Sequence, residues 1–254
     1  MLFRSTGIHL GKYGKETGYR WNLFDLLERL IRMPGLFRIR LSSLEINEVD
    51  ERLLDLMASS PRFVPHLHLP LQAGNDETLK TMNRHYTTGQ FEEVCRLVRQ
   101  KLDTPAITTD IIVGFPGETE VQFEHGVEFC RRMEFSRTHI FPYADREGTA
   151  AFGMLPKIDE RTKKERVQKL MALAARSRLK YHQLFEGKIV HALVERQEEE
   201  EELPATPHGI PDCLCGMSER YVRVYFPGQK ELINCLLPVR VTQATEDYLI
   251  GVPE

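Results

Sequence analysis

The stretch Ala106-Ile-Thr-Thr-Asp-Ile-Ile-Val-Gly-Phe-Pro-Gly-Glu-Thr119 decides the fold class of this chain. A run of β-branched and apolar residues leads into a Gly-Phe-Pro-Gly turn, and Thr119 with Gln122 forms a capping box for a helix. The apolar residues of that helix recur at helical spacing: Phe123, Val127 and Cys130. A strand, a glycine-rich turn and an amphipathic helix in this order are typical of one βα unit in a parallel sheet.

The same plan repeats on both sides of this stretch. Helical patterns cover residues 20–33, 48–59 and 91–102, and Thr87 with Gln90 forms a second capping box. Five segments have the composition of strands: Leu2–Ser5, Leu36–Leu41, His66–Leu71, Ala106–Val113 and Thr138–Tyr143. Five parallel strands are too few for a closed eight-stranded barrel, so they predict an open sheet or a partial (β/α) barrel.

A second architecture begins after a long, basic helical stretch at residues 159–185. Four β-like segments follow it: Lys188–Glu195, Arg220–Phe226, Ile233–Thr242 and Tyr248–Val252. They predict a small antiparallel β-barrel. Residues 197–215, which contain a run of glutamates and several prolines, are interpreted as a long flexible loop. The predicted divisions are therefore 1–158, 159–186 and 187–254.

Composition is compatible with a globular protein and points to no particular partner. Apolar residues make up 41% of the 254 residues and the net charge is −3. No apolar run is long enough to span a membrane or to form a signal peptide, so we expect a cytoplasmic protein. Residues 187–254 hold six basic and twelve acidic side chains, whereas residues 157–180 hold nine basic and three acidic ones. That basic stretch is interpreted either as solvated surface or as a face for phosphates.

The five cysteines do not form a recognisable metal or disulfide framework. Cys95 and Cys130 fall on apolar faces of predicted helices and are interpreted as core residues. Cys213-Leu-Cys215 is a close pair, but one pair cannot complete a site with four ligands. Cys235 completes an odd and scattered set, which argues against disulfides.

Polar and glycine-rich segments follow the predicted strands, where parallel α/β folds place their functional groups. Asp110 lies inside an apolar strand, and an unpartnered buried carboxylate costs several kcal/mol. Gly114 and Gly117 could allow a ligand to approach the backbone, or could simply form a turn. Gln72 and Glu45 could bind hydroxyl or ammonium groups. With no P-loop or nucleotide fingerprint, the residues alone indicate a small-molecule pocket with an appended β-barrel.

Several motifs nevertheless resemble one family, the radical-AdoMet methylthiotransferases. These motifs are Arg38–Ser43, His66–Gln72, Met82–Thr87, Thr108–Thr119 and His139–Tyr143. Residues 6–14 and 41–48 resemble its MtaB branch, which implies 2-methylthiolation of N6-threonylcarbamoyladenosine beside the tRNA anticodon. Residues from about 182 onward resemble the TRAM domain, an RNA-binding β-barrel. The resemblance therefore implies a partial radical-AdoMet barrel followed by a TRAM barrel.

The resemblance also implies a set of site residues and partners. The implied AdoMet-binding residues are Gly7, His9, Ser42, Glu45, Gln72, Asp110, Gly114 and Tyr143. The implied tRNA-binding residues are Arg84, Tyr86, Arg220 and Arg223. The cofactors implied are S-adenosyl-L-methionine and two [4Fe–4S] clusters, with tRNA as the partner. We expect a monomer that binds neither membrane nor DNA.

The sequence lacks the cysteines that hold those clusters. The family has a front domain with three cysteines and then a CxxxCxxC loop, and neither occurs here. We therefore expect this chain to be the carboxy-terminal part of such an enzyme, inactive on its own and with no metal ligands of its own. Three alternatives stay open: a non-catalytic RNA-binding remnant, a branch acting on isopentenyladenosine or a ribosomal protein, and an unrelated small-molecule α/β enzyme.

Overall fold

The structure is a computed structural model that describes residues 10–14, 21–197 and 212–254. Contacts divide the chain into two units, one that ends at Ala174 and one that begins at Ala175. The boundary falls within a single long helix. The predicted strand Leu2–Ser5, the glutamate run and the predicted site residues Gly7 and His9 lie outside the described residues.

Helices form where the apolar spacing predicts them. The α-helices among the described residues are α1 (Leu23–Ile31), α2 (Glu51–Ser59), α3 (Asp76–Thr81), α4 (Thr88–Lys101), α5 (Glu120–Met133) and α6 (Glu160–Gln183). Both capping boxes are present, because the side chains of Thr87 and Thr119 accept hydrogen bonds from the backbone three residues later. Only α3 was not predicted; Asn75 caps it by accepting the N–H of Thr78.

Three strands form a parallel sheet in the first unit, in the order β1 (His66–His68), β2 (Ala106–Val113) and β3 (Arg137–Pro142). The predicted open, parallel α/β fold is therefore confirmed. The prediction of a strand at Leu36–Leu41 is wrong, because the segment makes only an isolated bridge from Ile39 to Phe63. Leu36 is fully exposed, whereas an inner parallel strand must be buried on both faces.

The two faces of this sheet differ in polarity because successive side chains on a strand point to opposite sides. Ile107, Ile111 and Val113 of β2 pack into the apolar core with residues of α4 and α5. Thr108 and Asp110, which alternate with them, lie on the other face and are hydrogen-bonded to histidines of β1 and β3. The second face is therefore the polar face of the sheet.

Helix α6 buries two of its basic side chains and pairs others with carboxylates at the surface. Lys163 and Arg166 are buried. The basic side chains of residues 157–180 that pair with carboxylates include Lys157, Arg161, Lys163, Arg166, Lys169 and Arg178. Most of the predicted basic surface is thus neutralised locally. No helix among the described residues, α6 included, combines the length and the apolar character needed to cross a membrane.

The second unit contains a closed five-stranded barrel. Its strands are β4 (Ile189–Gln197), β5 (Cys213–Ser218), β6 (Arg223–Pro227), β7 (Leu236–Ala244) and β8 (Tyr248–Pro253). They close in the order β4-β5-β6-β8-β7, which confirms the predicted small barrel. One pair, β6 with β8, is parallel. A closed ring with an odd number of strands cannot alternate direction all the way round, so one parallel pair is unavoidable.

Strand β5 was missed at the sequence level. Residues 204–215 were interpreted as loop, but Cys213-Leu-Cys215 begins this strand, which pairs with both β4 and β6. Leu214, Cys215 and Gly216 are consecutive buried residues. A strand buried in this way lacks the alternation of apolar and polar residues that marks a half-exposed strand.

Candidate functional site

The polar face of the sheet carries a continuous chain of hydrogen bonds across three strands. Asp110, on the central strand β2, accepts from His68 Nε2 at 3.2 Å through one carboxylate oxygen and from His139 Nδ1 at 3.1 Å through the other. His68 Nδ1 lies 2.9 Å from the Thr108 hydroxyl, which also contacts His66 Nε2 at 3.2 Å. The partners that a carboxylate needs in an apolar strand are therefore imidazoles from both neighbouring strands.

The charges of this cluster follow from its surroundings. Burial raises the pKa of Asp110, but hydrogen bonds from His139 and His68 outweigh that effect and hold the pKa well below its usual range. Burial, with help from the positive charge of Arg40, lowers the pKa of His66 to about 3. At neutral pH the cluster therefore contains one carboxylate and a neutral ring at His66.

The Gly-Phe-Pro-Gly turn after β2 is fastened to helix α6. Gly114 and Gly117 both have positive φ values, which glycine adopts at little cost. A β-carbon at Gly114 would overlap the stem of Lys163, whose ammonium donates to the carbonyl of Tyr143 at 3.1 Å. The close approach expected at Gly114 is thus made by a lysine of the chain itself.

An ion pair between Glu118 and Arg166 also holds this turn in place. The Glu118 carboxylate accepts the N–H of Gly114 at 2.8 Å and Arg166 Nη1 at 3.0 Å. Arg166 also binds the carboxylate of Glu120 at 2.9 Å. The side chains of Glu118 and Arg166 are each 6% exposed, and burial raises the pKa of Glu118 despite the Gly114 and Arg166 contacts. This is a buried ion pair that ties α6 to the end of β2.

Other predicted AdoMet-binding residues lie on nearby loops. Gln72 has a positive φ and bridges to β2, since its N–H donates to the carbonyl of Asp110 at 2.8 Å. Glu45 pairs with Arg84 at 3.3 Å, and Ser42 is half-buried three residues before it. The Tyr143 hydroxyl donates to Asp145 at 2.9 Å. Asp110 and Gln72 are therefore adjacent, whereas Glu45 is joined instead to a residue predicted to bind RNA.

The predicted RNA-binding residues are dispersed. The Tyr86 hydroxyl donates to the carbonyls of Pro70 and Leu71 at 3.0 and 3.1 Å, and burial raises the pKa of Tyr86 to about 12. In the barrel, Arg223 is exposed on β6, whereas the Arg220 side chain is only 12% exposed. The histidines of the polar face were missed as site residues, although polar side chains at alternate positions of apolar strands would have marked them.

Comparison with known proteins relates the chain to one enzyme family. A family model described as the Radical SAM superfamily matches residues 5–130. The chain is 35% identical, over 97% of its length, to threonylcarbamoyladenosine tRNA methylthiotransferase MtaB of Bacillus subtilis (strain 168), of which it covers 53%. It is 43% identical over 74% of its length to MtaB of Aquifex aeolicus (strain VF5), covering 46% of that protein.

A second group of relatives acts on a different nucleoside. The chain is 37% identical, over 96% of its length, to tRNA-2-methylthio-N(6)-dimethylallyladenosine synthase of Geobacillus thermodenitrificans (strain NG80-2), covering 45% of it. It thus spans about half the length of the curated relatives it matches. Among solved structures, coproporphyrinogen III oxidase HemN of Escherichia coli, a radical SAM enzyme, aligns with a TM-score of 0.51 and 20% identity. That alignment covers 61% of this chain and 37% of HemN, and it concerns the fold alone.

Proposed function

The chain belongs to the radical SAM superfamily, and from this premise we propose that it is part of a methylthiotransferase acting on C2 of N6-threonylcarbamoyladenosine in tRNA. The supporting observation is its similarity to MtaB along 97% of its length. Similarity to dimethylallyladenosine synthases is comparable, so the alternative substrate is the isopentenylated adenosine. The proposal includes a cytoplasmic monomer that meets its partner, tRNA, through both units.

The polar face of the sheet and its loops are proposed to bind S-adenosyl-L-methionine. Asp110 offers a charged, half-buried carboxylate to an ammonium group, and Gln72 lies directly beside it. The remaining proposed contacts come from Gly7, His9, Ser42, Glu45, Gly114 and Tyr143. For tRNA we propose Arg84 and Arg223, whose side chains reach solvent, with the ring of Tyr86 and with Arg220.

The cysteines of this chain do not fit a [4Fe–4S] cluster. Cys95 and Cys130 are buried in the helical core as predicted, and burial raises the pKa of each thiol to about 12. Cys213 and Cys215 lie in barrel strand β5, and Cys235 is exposed beside that barrel. A cluster needs thiolates that converge on iron atoms. We therefore propose that this polypeptide alone performs no reductive cleavage of AdoMet.

The inactivity of the isolated chain is directly testable. The purified chain is incubated anaerobically with iron and sulfide, and iron content and 5′-deoxyadenosine release from AdoMet are measured under strong reductant. We expect neither a stoichiometric cluster nor product. A cluster that cleaves AdoMet would overturn the inference from the cysteine positions, whereas tRNA binding in a filter assay would agree with it.

The substrate is testable in a chimera. The front part of Bacillus subtilis MtaB that this chain does not match is fused to residues 1–254 and expressed in a strain lacking MtaB. We expect nucleoside mass spectrometry to detect 2-methylthio-N6-threonylcarbamoyladenosine, and the Asp110→Asn chimera to yield far less. If only the isopentenylated nucleoside gains the group in a strain lacking both enzymes, the alternative substrate is correct. tRNA binding with no product of either kind would favour the non-catalytic RNA-binding role.

A further inference from the structure

The cluster on the polar face has the composition of a metal site. His68, Asp110 and His139 contribute two imidazoles and one carboxylate from three adjacent parallel strands, and their ligand atoms all lie within 4.8 Å of one another. We propose that these three residues bind a divalent first-row transition-metal ion, for which Zn²⁺ serves as the probe. The proposed site involves no iron–sulfur cluster, and it shares Asp110 with the proposed AdoMet contacts, so a bound ion and the AdoMet ammonium would compete for this carboxylate.

The two nitrogen–oxygen distances at Asp110 match those between neighbouring ligands of one ion. Zinc lies about 2.0–2.2 Å from nitrogen and oxygen ligands, so two neighbouring ligands of a tetrahedral or octahedral ion are about 3.0–3.4 Å apart. The two nitrogen–oxygen distances at Asp110 are 3.2 and 3.1 Å. An ion could therefore replace the two N–H···O hydrogen bonds once the ring nitrogens of His68 and His139, which lie within 4.8 Å of each other, move to the coordination distance.

The residues behind the ligands are suited to hold them in place. For His68 Nε2 to bind a metal, the ring proton must be on Nδ1, which lies 2.9 Å from the Thr108 hydroxyl oxygen. That hydroxyl can accept the proton and donate its own to His66 Nε2 at 3.2 Å. Hydrogen bonds of this kind fix the tautomer and orientation of metal-binding histidines. The hydrogen bonds from His66 through Thr108 to His68 can therefore form both with and without a bound metal ion.

The chemistry of the ligands selects the type of ion. Imidazole suits zinc, iron, cobalt and nickel, whereas magnesium and calcium require oxygen ligands. The three side chains are 18%, 26% and 36% exposed, so an ion can reach them and keep contact with solvent. Three protein ligands leave at least one coordination position for water or another small ligand, as in catalytic rather than structural zinc sites.

The test is a metal titration of the tag-free full chain after treatment with chelator. We expect Zn²⁺ to bind at one equivalent by calorimetry, and Co²⁺ to give a visible spectrum without an intense sulfur-to-cobalt band. Mg²⁺ should not bind. His139→Gln and Asp110→Asn should each weaken Zn²⁺ binding at least tenfold. The matched control is His125→Gln, because His125 is an exposed histidine of α5 in the same unit, and this variant should bind like the parent.

One further variant and one measurement of folding keep the result interpretable. A chain with serine at Cys213, Cys215 and Cys235 should retain full Zn²⁺ affinity, because thiolates take no part in the site. Circular dichroism establishes that His139→Gln is folded before its affinity is compared. The proposal is overturned if the parent binds no Zn²⁺ at one equivalent, if His139→Gln and His125→Gln bind equally well, or if the serine variant loses binding. Zn²⁺ binding is measured on the isolated chain and product formation on the chimera, so failure of one proposal is distinguishable from failure of the other although both involve Asp110.

Discussion

Removing the guanidinium of Arg166 is expected to be among the most damaging single changes to the first unit. Arg166→Met keeps much of the side-chain volume but leaves the Glu118 carboxylate, 6% exposed, with the N–H of Gly114 as its remaining partner. Breaking a buried ion pair by removing one member costs about 3–5 kcal/mol. That is a large part of the roughly 5–15 kcal/mol by which a domain is stable. Urea unfolding followed by the fluorescence of Trp21, the single tryptophan, measures the loss.

The matched control lies on the same helix. Arg161 is 88% exposed and pairs with Glu165 one turn later, so Arg161→Met should cost at most about 1 kcal/mol. The double variant Glu118→Gln with Arg166→Met should be more stable than Arg166→Met alone, because the unpaired buried carboxylate is removed. If Arg166→Met unfolds at the same urea concentration as Arg161→Met, the buried pair does not hold α6 to the turn.

The loss of stability in Arg166→Met should also depend on pH, in a direction set by the pKa of Glu118. Burial already raises the pKa of Glu118, and removal of Arg166 must raise it further. Because the folded state then binds a proton more tightly than the unfolded state, stability increases as pH falls through the folded pKa. The increase in stability is complete below the pKa of Glu118 in the unfolded state. Arg166→Met should therefore recover part of its stability between pH 8 and pH 5, by about 1.4 kcal/mol for each unit between the two pKa values.

Two other predictions follow from the turn after β2 and from the cysteines. Gly114→Ala should destabilise by more than about 2 kcal/mol because its β-carbon meets the buried lysine of α6, whereas Gly117→Ala, with a similar φ but open space, should cost about 1 kcal/mol. Equal losses in urea would contradict the overlap. With a thiol reagent at pH 8, Cys235 should react in the native chain, whereas Cys95 and Cys130 should react only after unfolding. Rapid native labelling of the buried pair would refute their assignment to the core.

Local patterns predicted the helices and the fold class well. Both capping boxes lie within four residues of chain, so Thr87 and Thr119 could be assigned without knowledge of the fold. The segment at Leu36–Leu41 was misjudged because composition cannot show whether a strand has neighbours on both sides. Strand β5 could not be predicted because its three consecutive buried residues, Leu214 to Gly216, break the alternation that marks a half-exposed strand.

The cluster on the polar face needed the register of the sheet. Asp110 was noticed as a carboxylate in an apolar strand, but its partners His68 and His139 are 42 and 29 residues away. Their contact depends on Asp110 lying opposite His139 in the β2–β3 pairing and on Thr108 lying opposite His68 in the β1–β2 pairing. A single sequence contains the alternation of polar residues but does not contain the alignment of one strand with the next.

The parallel pair in the five-stranded barrel has a consequence for synthesis on the ribosome. Strand β8 (Tyr248–Pro253) is the last of the five strands to be made. Because it lies between β6 and β7, it is also the strand that closes the ring. Until it emerges, β6 and β7 both present unpaired backbone edges, which are sites of faulty association. A product of premature termination before Tyr248 would retain both edges permanently. The barrel can therefore close only after translation has passed β8.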